Sequence, residues 1–169
     1  MKKDTNKTLI VGLAAMVILG LAFIFIVKKQ TDPRPLKIPF SSLGWTSTLE
    51  DMEKADGKVY VTFASSGGTT YQYIKEYLGV SGYLKYHFND QGILVGIAWS
   101  CEAADKKELN SLYEKISSDL TAAYGEGKTT SSGLNHAWEL SDGTSVRLNT
   151  GFGGSDTSLQ YFYINPIAL

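Results

Sequence analysis

The sequence predicts an α+β protein in which an N-terminal transmembrane helix precedes a tandem α-β-β-β repeat. The repeat is expected to form one antiparallel sheet with its helices on one face. Three observations predict this: an uncharged apolar run near the N-terminus, two amphipathic helical segments that each end at a glycine, and alternating strand segments after each helix. The predicted organisation is a short tail (1–8), a transmembrane signal-anchor helix (9–27), a Pro-rich linker (28–41) and an α+β domain (42–169), with repeat 1 at about 42–102 and repeat 2 at about 103–169.

The apolar run from Leu9 to Val27 contains no charged residue. As a helix it would be about 28 Å long, close to the ~30 Å hydrocarbon core of a bilayer. Lys28 and Lys29 follow it directly, with neither a small-residue cleavage site nor a cysteine for lipid attachment at that point. The run therefore predicts an uncleaved anchor through which the chain contacts the membrane.

The charges that flank this run are nearly balanced, so they say little about orientation. A short tail ahead of a large domain favours a single-pass protein of the cell membrane with the domain on the extracytoplasmic side. The prolines of the linker disfavour both helix and strand there.

Charge and cysteine content limit the function of the domain. Beyond position 30 the chain has 11 Lys and Arg against 16 Asp and Glu, a net charge of about −5. A nucleic acid is therefore not expected as a partner, because phosphate binding needs clustered positive charge. The single cysteine, Cys101, permits no internal disulfide and is expected to be buried at the end of an apolar strand.

The first repeat is predicted to begin with a short helix that has a Ser47–Glu50 capping box and ends at Gly57. An alternating strand follows at 58–64. The tyrosine-rich segment 69–82 is ambiguous, and one interpretation of it is a strand with an irregular excursion of the chain. The Asn89–Gly92 turn then predicts a hairpin of the segments 83–88 and 93–101.

The second repeat follows the same plan. Asp105 and Glu108 can cap a longer helix that ends at Gly125, and an apolar stripe runs along it: Leu109, Leu112, Ile116, Leu120 and Tyr124. Three strands are predicted after it, at about 136–140, 144–149 and 158–164. The two helix-ending glycines are 68 residues apart, a period that is consistent with duplication.

This tandem plan resembles the secreted β-lactamase inhibitor proteins and the small envelope proteins of the BamE/SmpA type. The elements that carry the resemblance are Ser47-x-x-Glu50, Gly57-Lys58, Asp90-x-Gly92, Tyr124-Gly125 and Trp138. The resemblance covers the plan of the whole domain and implies two tandem units with a place in a bacterial cell envelope. It assigns no inhibitor or assembly role to particular residues, and the chain lacks the disulfides or lipid anchor that these families use.

No motif in the sequence indicates a catalytic centre, a metal site or a cofactor. The two histidines, His87 and His136, fall in different repeats, and no cysteine-protease signature surrounds Cys101. The Asn89–Gly92 segment lacks the later acidic ligands of a calcium loop. We therefore expect no catalytic residues, no metal and no cofactor.

Aromatic residues in the strands give the remaining functional signal. The strand phases predict that one face of the sheet meets the helices, through residues such as Val59, Val61, Phe63, Leu84, Tyr86, Phe88, Trp138, Leu140, Val146 and Leu148. The opposite face then exposes the predicted binding residues Tyr60, Tyr83, Lys85, His87, Glu139 and Arg147. The same tyrosines could instead be cross-strand pairs that only stabilise the sheet.

The sequence thus favours a membrane-anchored, non-enzymatic binding module that engages a protein or another envelope component through the open face of its sheet. Two alternatives stay open at this point. One is a cell-envelope enzyme that uses Cys101 or carboxylates, and the other is a structural or assembly subunit.

Overall fold

The computed structural model of the chain describes residues 36–65, 67–129, 135–151 and 153–168. They belong to one compact unit, Leu36–Leu169. The predicted tail, the predicted membrane span and most of the predicted linker lie outside the described residues.

The described chain forms two helices and eight strands, followed by a short 3-10 turn at Pro166–Ala168. The first half contains α1 (Leu49–Asp56), β1 (Val61–Ser65), β2 (Gly68–Tyr77), β3 (Val80–Phe88) and β4 (Leu94–Glu102). The second half contains α2 (Lys106–Tyr124), β5 (Lys128–Thr129), β6 (His136–Glu139), β7 (Ser145–Thr150) and β8 (Ser158–Ile164).

All eight strands pair antiparallel in one sheet, in the order β1-β2-β3-β4-β8-β7-β6-β5. Each half is a helix followed by a four-stranded meander, and the two meanders join where β4 pairs with β8. The centre of the sheet is therefore built from the last strand of each half.

The predicted α-β-β-β repeat is wrong, because each half contains four strands. The segment 69–82, which the sequence left open, forms most of β2 and the start of β3. The two strands are joined by a tight turn at Leu78 and Gly79, whose φ angles are 53° and 79°. Such turns usually contain Asn-Gly or Asp-Gly. Because leucine occupies the first position here, the sequence does not indicate a turn at this point. In the second half the unpredicted strand is β5, which is only two residues long.

The transmembrane part of the predicted fold class finds no support either. Within residues 36–168, as far as they are described, no helix combines the length and the apolarity needed to cross a bilayer. The run predicted to do so, Leu9 to Val27, lies outside the described residues. The location of the domain outside the cytoplasm stays a prediction.

Both helices begin at side-chain caps and end at the predicted glycines. In α1 the capping box is shifted by one residue from the prediction: Thr48 Oγ1 accepts from the Asp51 amide at 3.2 Å, and Asp51 Oδ2 accepts from the Thr48 amide at 2.9 Å. In α2 Asp105 Oδ1 accepts from the Glu108 amide at 2.8 Å, as predicted. Gly57 and Gly125 follow the helices with positive φ angles of 79° and 86°.

The helices pack on one face of the sheet, and the core lies between them. The predicted stripe of α2 is buried except for Tyr124, which is half-buried, and Met52 of α1 is fully buried. The sheet contributes a layer of large side chains to this core: Leu84, Tyr86, Ile97, Trp99, Trp138, Val146, Leu148, Tyr161 and Tyr163. The prediction that the helices pack on only one face of the sheet agrees with this arrangement.

The predicted phase of the first strand is wrong. Val61 pairs with Gln72 and Phe63 with Thr70, and these partners lie opposite Lys85 and His87, on the face without helices. Alternation shows that two sides differ but does not say which side meets the core.

Candidate binding surface on the open face of the sheet

We call the sheet face without helices the open face, and the structure places the six predicted binding residues on it or at its edge. Tyr83, Lys85 and His87 are successive outward positions of β3. Lys85 is opposite Ala98, Ala98 is opposite Phe162, and Phe162 is opposite Arg147, so Lys85 and Arg147 share one row across the sheet.

The six residues do not form one cluster. The rings of Tyr60 and Tyr83 stack, with centroids 6.2 Å apart and planes at 22°. Arg147 is three strand spacings from Lys85, or roughly 14 Å. Glu139 is opposite Ser145, whose hydroxyl donates to Glu139 Oε1 at 2.9 Å. The open face therefore has a β3 side, with four of the predicted residues, and a β6–β7 side with the other two.

The β3 side carries a group of exposed apolar side chains that we call the aromatic patch: Tyr60, Phe63, Ile74 and Tyr83. Their exposed fractions lie between 41% and 60%. Ile74 is opposite Tyr83, which stacks on Tyr60, while Phe63 lies farther along β1. Large apolar side chains exposed together are unusual on a soluble surface and are typical of interaction sites.

Sequence reasoning missed Phe63 and Ile74. The strand phase predicted from the sequence places Phe63 in the core, whereas the structure exposes it. Ile74 falls in the segment 69–82, whose structure the sequence leaves open, although Tyr71, Tyr73 and Tyr77 alternate there. That alternation places Ile74 on the opposite face from the three tyrosines.

Beside the patch lies a depression of about 570 Å³ that we call the central groove. Its floor is β4, which presents Gly96 and Ala98 outward, and its walls are formed by longer side chains of the neighbouring strands. The wall on β3 contains Lys85 and His87, and the wall on β8 contains Phe162 and Ile164. The groove exists because a central strand with very small side chains lies between two strands with large ones.

One end of the groove is shaped by a β-bulge. His87 is opposite Gly96 while Phe88 is opposite Leu94, so Val95 is the extra residue in β4. Asn165 fixes the chain end to this bulge, since its amide donates to the Val95 carbonyl at 3.0 Å and its Nδ2 donates to the Leu94 carbonyl at 2.9 Å. The following 3-10 turn brings Ala168 to the rim of the groove.

The electrostatic character of the groove differs from that of the acidic domain. Its described lining contains Lys85 and no Asp or Glu. Partial burial lowers the pKa of the Lys85 ammonium, because desolvation disfavours its charged form. His87 Nδ1 lies 2.9 Å from the Thr70 hydroxyl, so this ring is held by the neighbouring strand.

A buried carboxylate lies on the other face of the sheet, where Asp56 ends α1. Its side chain is 6% exposed, accepts from Tyr86 Oη at 2.6 Å and forms an ion pair with Lys75 Nζ at 3.0 Å. Tyr86 also contacts the Ser41 hydroxyl at 2.8 Å. Burial and the bond to Asp56 raise the pKa of Tyr86 above its usual value. These bonds satisfy the Asp56 carboxylate, which thereby links the end of α1 to the sheet.

Replacing Asp56 with alanine is expected to lower the free energy of unfolding by about 2–3 kcal/mol, because Tyr86 and Lys75 lose a charged partner in a largely buried position. Urea denaturation of the two proteins measures this difference. Glu53→Ala, an exposed carboxylate on the same helix, is the matched control and should change stability by less than ~0.5 kcal/mol. Equal effects of the two substitutions would contradict a structural role for Asp56.

Cys101 is a poor candidate nucleophile in this structure. The residue is 5% exposed and faces the core opposite Leu159. Burial, with Glu108 and Glu102 nearby, raises the pKa of its thiol to about 11. Neither histidine is placed beside it: His87 is on the open face, and His136 lies three strands away on β6, against Tyr113.

Among the described residues no group of three or more His, Cys, Asp or Glu side chains is arranged to hold a metal ion. Comparison with known proteins finds no matching family model, no matching curated protein and no matching solved structure. The resemblance to β-lactamase inhibitor proteins and BamE/SmpA-type proteins therefore stays a prediction.

Proposed function

We propose that this domain is a non-enzymatic binding module that engages a protein partner through the open face of its sheet. The observation that carries the proposal is the aromatic patch. Four large apolar side chains are exposed on one side of a face that no described helix covers.

The composition of the patch suits a protein partner. Tyrosine and phenylalanine are enriched at protein interfaces, because they bury much area with few rotatable bonds. Stacking of Tyr60 on Tyr83 holds both rings in place before binding. Less side-chain entropy is then lost on association.

The edge of the sheet beside the patch supports the same proposal. β1 is a terminal strand, and no described strand pairs with its outer edge. Its five residues include neither proline nor a charged side chain, the usual protections of an exposed edge. An extended segment of a partner could add to β1 as a further strand and contact Phe63 at the same time.

The enzyme alternative receives less support from the same structure. The environment of Cys101 is apolar and close to carboxylates, which disfavours the thiolate that a nucleophile requires. The buried carboxylate, Asp56, is engaged by Tyr86 and Lys75. No specific observation favours a structural or assembly subunit.

Site-specific photocrosslinking tests the proposal. A photoreactive phenylalanine analogue placed at Phe63 or at Ile74 in the full chain is expected to capture the same protein in cells. The same analogue at Leu49, an exposed apolar position on α1, should not capture it. Leu49 is the matched control because it is similarly exposed but lies on the helix side of the sheet.

A second step separates specific from incidental capture. Tyr60→Ala with Tyr83→Ala is expected to reduce the crosslink from Ile74 at least tenfold, because the stacked pair beside it is removed. Glu76→Ala, an exposed outward residue of β2, should leave it unchanged. Capture of unrelated proteins from the two patch positions, or equal capture from Leu49, would contradict the proposal. A crosslink to a molecule other than a protein would show that the partner belongs to a different class.

A further inference from the structure

We infer that Gln72 is the residue that selects the partner at the aromatic patch, and that it selects a side-chain carboxamide, an Asn or a Gln of the partner. This inference rests on the proposed protein contact and names the chemical group that the contact recognises. Three observations support it: the position of Gln72 within the patch, its burial, and an amide without a hydrogen-bond partner.

Gln72 lies in the middle of the aromatic patch, on the open side of β2. All four patch residues are its neighbours, one farther along β2, one at a diagonal position on each adjacent strand, and one just before β1: Ile74, Phe63, Tyr83 and Tyr60. Diagonal neighbours in an antiparallel sheet are about 7–8 Å apart. The Tyr60 amide also donates to the Gln72 carbonyl at 2.9 Å. The apolar side chains of the patch therefore lie around a polar one.

The side chain of Gln72 is recessed among these neighbours. Gln72 is 8% exposed, whereas the four patch residues are between 41% and 60% exposed. None of the residues that the structure describes forms a hydrogen bond with the Gln72 side chain. Among the described side chains, the fully enclosed polar atom that lacks a partner is the Tyr73 hydroxyl, so the Gln72 amide still reaches the surface. A partner can thus contact this amide, but only with a group that projects between the side chains of the patch.

The amide restricts which group a partner can place there. A partner that covers the patch removes water from Gln72, and an amide that is then left without hydrogen bonds weakens binding roughly 5- to 150-fold. Gln72 Nε2 has to donate and Gln72 Oε1 has to accept. A carboxylate only accepts and an ammonium only donates, so either one leaves an atom of Gln72 unpaired. A carboxamide donates and accepts, so it can pair with both atoms.

A side chain suits the recessed position better than a main-chain peptide group. A peptide group is followed and preceded by Cα atoms that carry side chains of their own, and the exposed rings of Tyr60, Phe63 and Tyr83 would hold these away from Gln72. The carboxamide of Asn or Gln ends its side chain, so it can enter between the rings while the main chain of the partner stays above them.

Photocrosslinking from Ile74 in the full chain tests the inference with two variants of Gln72. Gln72→Met keeps the length of the side chain and makes the patch more apolar, yet it is expected to reduce capture of the partner about tenfold, because the carboxamide of the partner loses both hydrogen bonds. Gln72→Glu is expected to reduce capture by a similar factor, since a carboxylate cannot donate. Gln160→Met is the matched control, because Gln160 is a half-buried glutamine of β8 on the same face, and it should leave capture unchanged.

The direction of the effect of Gln72→Met is decisive. If apolar contact alone drove binding, this more apolar variant would keep or increase capture, which would overturn the inference and leave the proposed protein contact intact. Absence of capture from the wild-type chain would overturn both. Thermal unfolding shows whether each variant is folded, and Gln72→Glu carries the test if Gln72→Met is not.

A substitution in the partner tests whether the two groups meet. Mass spectrometry of the crosslinked peptide should find an Asn or Gln close to the crosslinked position, and its replacement by an apolar residue of similar size should reduce capture about tenfold. The same replacement combined with Gln72→Met is expected to restore most of the capture, because neither side then buries an unpaired amide. Independent losses that multiply in the combined variant, or a crosslinked segment without Asn or Gln, would overturn the assignment.

Discussion

Replacing Gly82 with alanine is expected to lower the free energy of unfolding by about 2–4 kcal/mol, the sum of an overpacked core and a weakened hydrogen bond. A Cβ atom at this position would lie 2.6 Å from the Ser100 carbonyl oxygen and 2.8 Å from the indole of Trp99. Trp99 is fully buried, and its Nε1 donates to the Lys75 carbonyl at 3.0 Å. The backbone of β4 is paired on both sides and resists displacement, so the contact with the Ser100 carbonyl strains the sheet, and the indole has to move as well.

Urea denaturation followed by tryptophan fluorescence measures both the loss of stability and the displacement of the indole. Gly44→Ala is the matched control, because a Cβ there meets no atom within 4 Å, and it should change stability by less than ~0.5 kcal/mol. If Gly82→Ala is as stable as Gly44→Ala, the close packing of Trp99 on β3 is wrong. Loss of stability without a change in the fluorescence of the folded state would place the strain in the backbone instead.

Those parts of the fold that have a local cause could be predicted from the sequence. Gly57 and Gly125 end their helices because a positive φ is cheap for glycine. Asn89 closes the β3–β4 turn with its own side chain, whose oxygen accepts from the Gln91 and Ile93 amides at 3.0 Å. The outward positions of β3 follow from alternation once its buried residues are recognised. In each of these cases the residues that indicate the feature lie within a few positions of the feature itself.

The parts that could not be predicted depend on partners distant in the chain or on an unusual local choice. Leu78 adopts a φ of 53° in the β2–β3 turn, a conformation that leucine rarely takes and that no turn rule anticipates. The outward orientation of Phe63 depends on its register with β2. The central groove depends on the pairing of β4 with β8, which brings Phe162 beside Ala98. Alternation describes each strand separately, so it cannot show which small side chains will lie between which large ones.

Cys101 is expected to react with a thiol reagent about a hundredfold more slowly in the folded chain than an ordinary thiol at about pH 8, because its pKa is raised from 9.0 to about 11. Burial of the sulfur slows the reaction further, since the reagent must reach it. The rate should rise tenfold per pH unit until the pH passes about 11. Unfolding in guanidinium chloride restores the ordinary pKa and should remove the difference.

The matched reference is an exposed thiol on the same fold, made as Ser111→Cys together with Cys101→Ser, since Ser111 lies on the exposed side of α2. Stopped-flow absorbance with an aromatic disulfide measures both rates. A folded Cys101 that reacts as fast as the thiol at position 111 would mean that the sulfur is accessible and ionised, and it would favour the enzyme alternative. Slow reaction in the folded chain and fast reaction after unfolding would instead remove the best candidate nucleophile from the enzyme alternative.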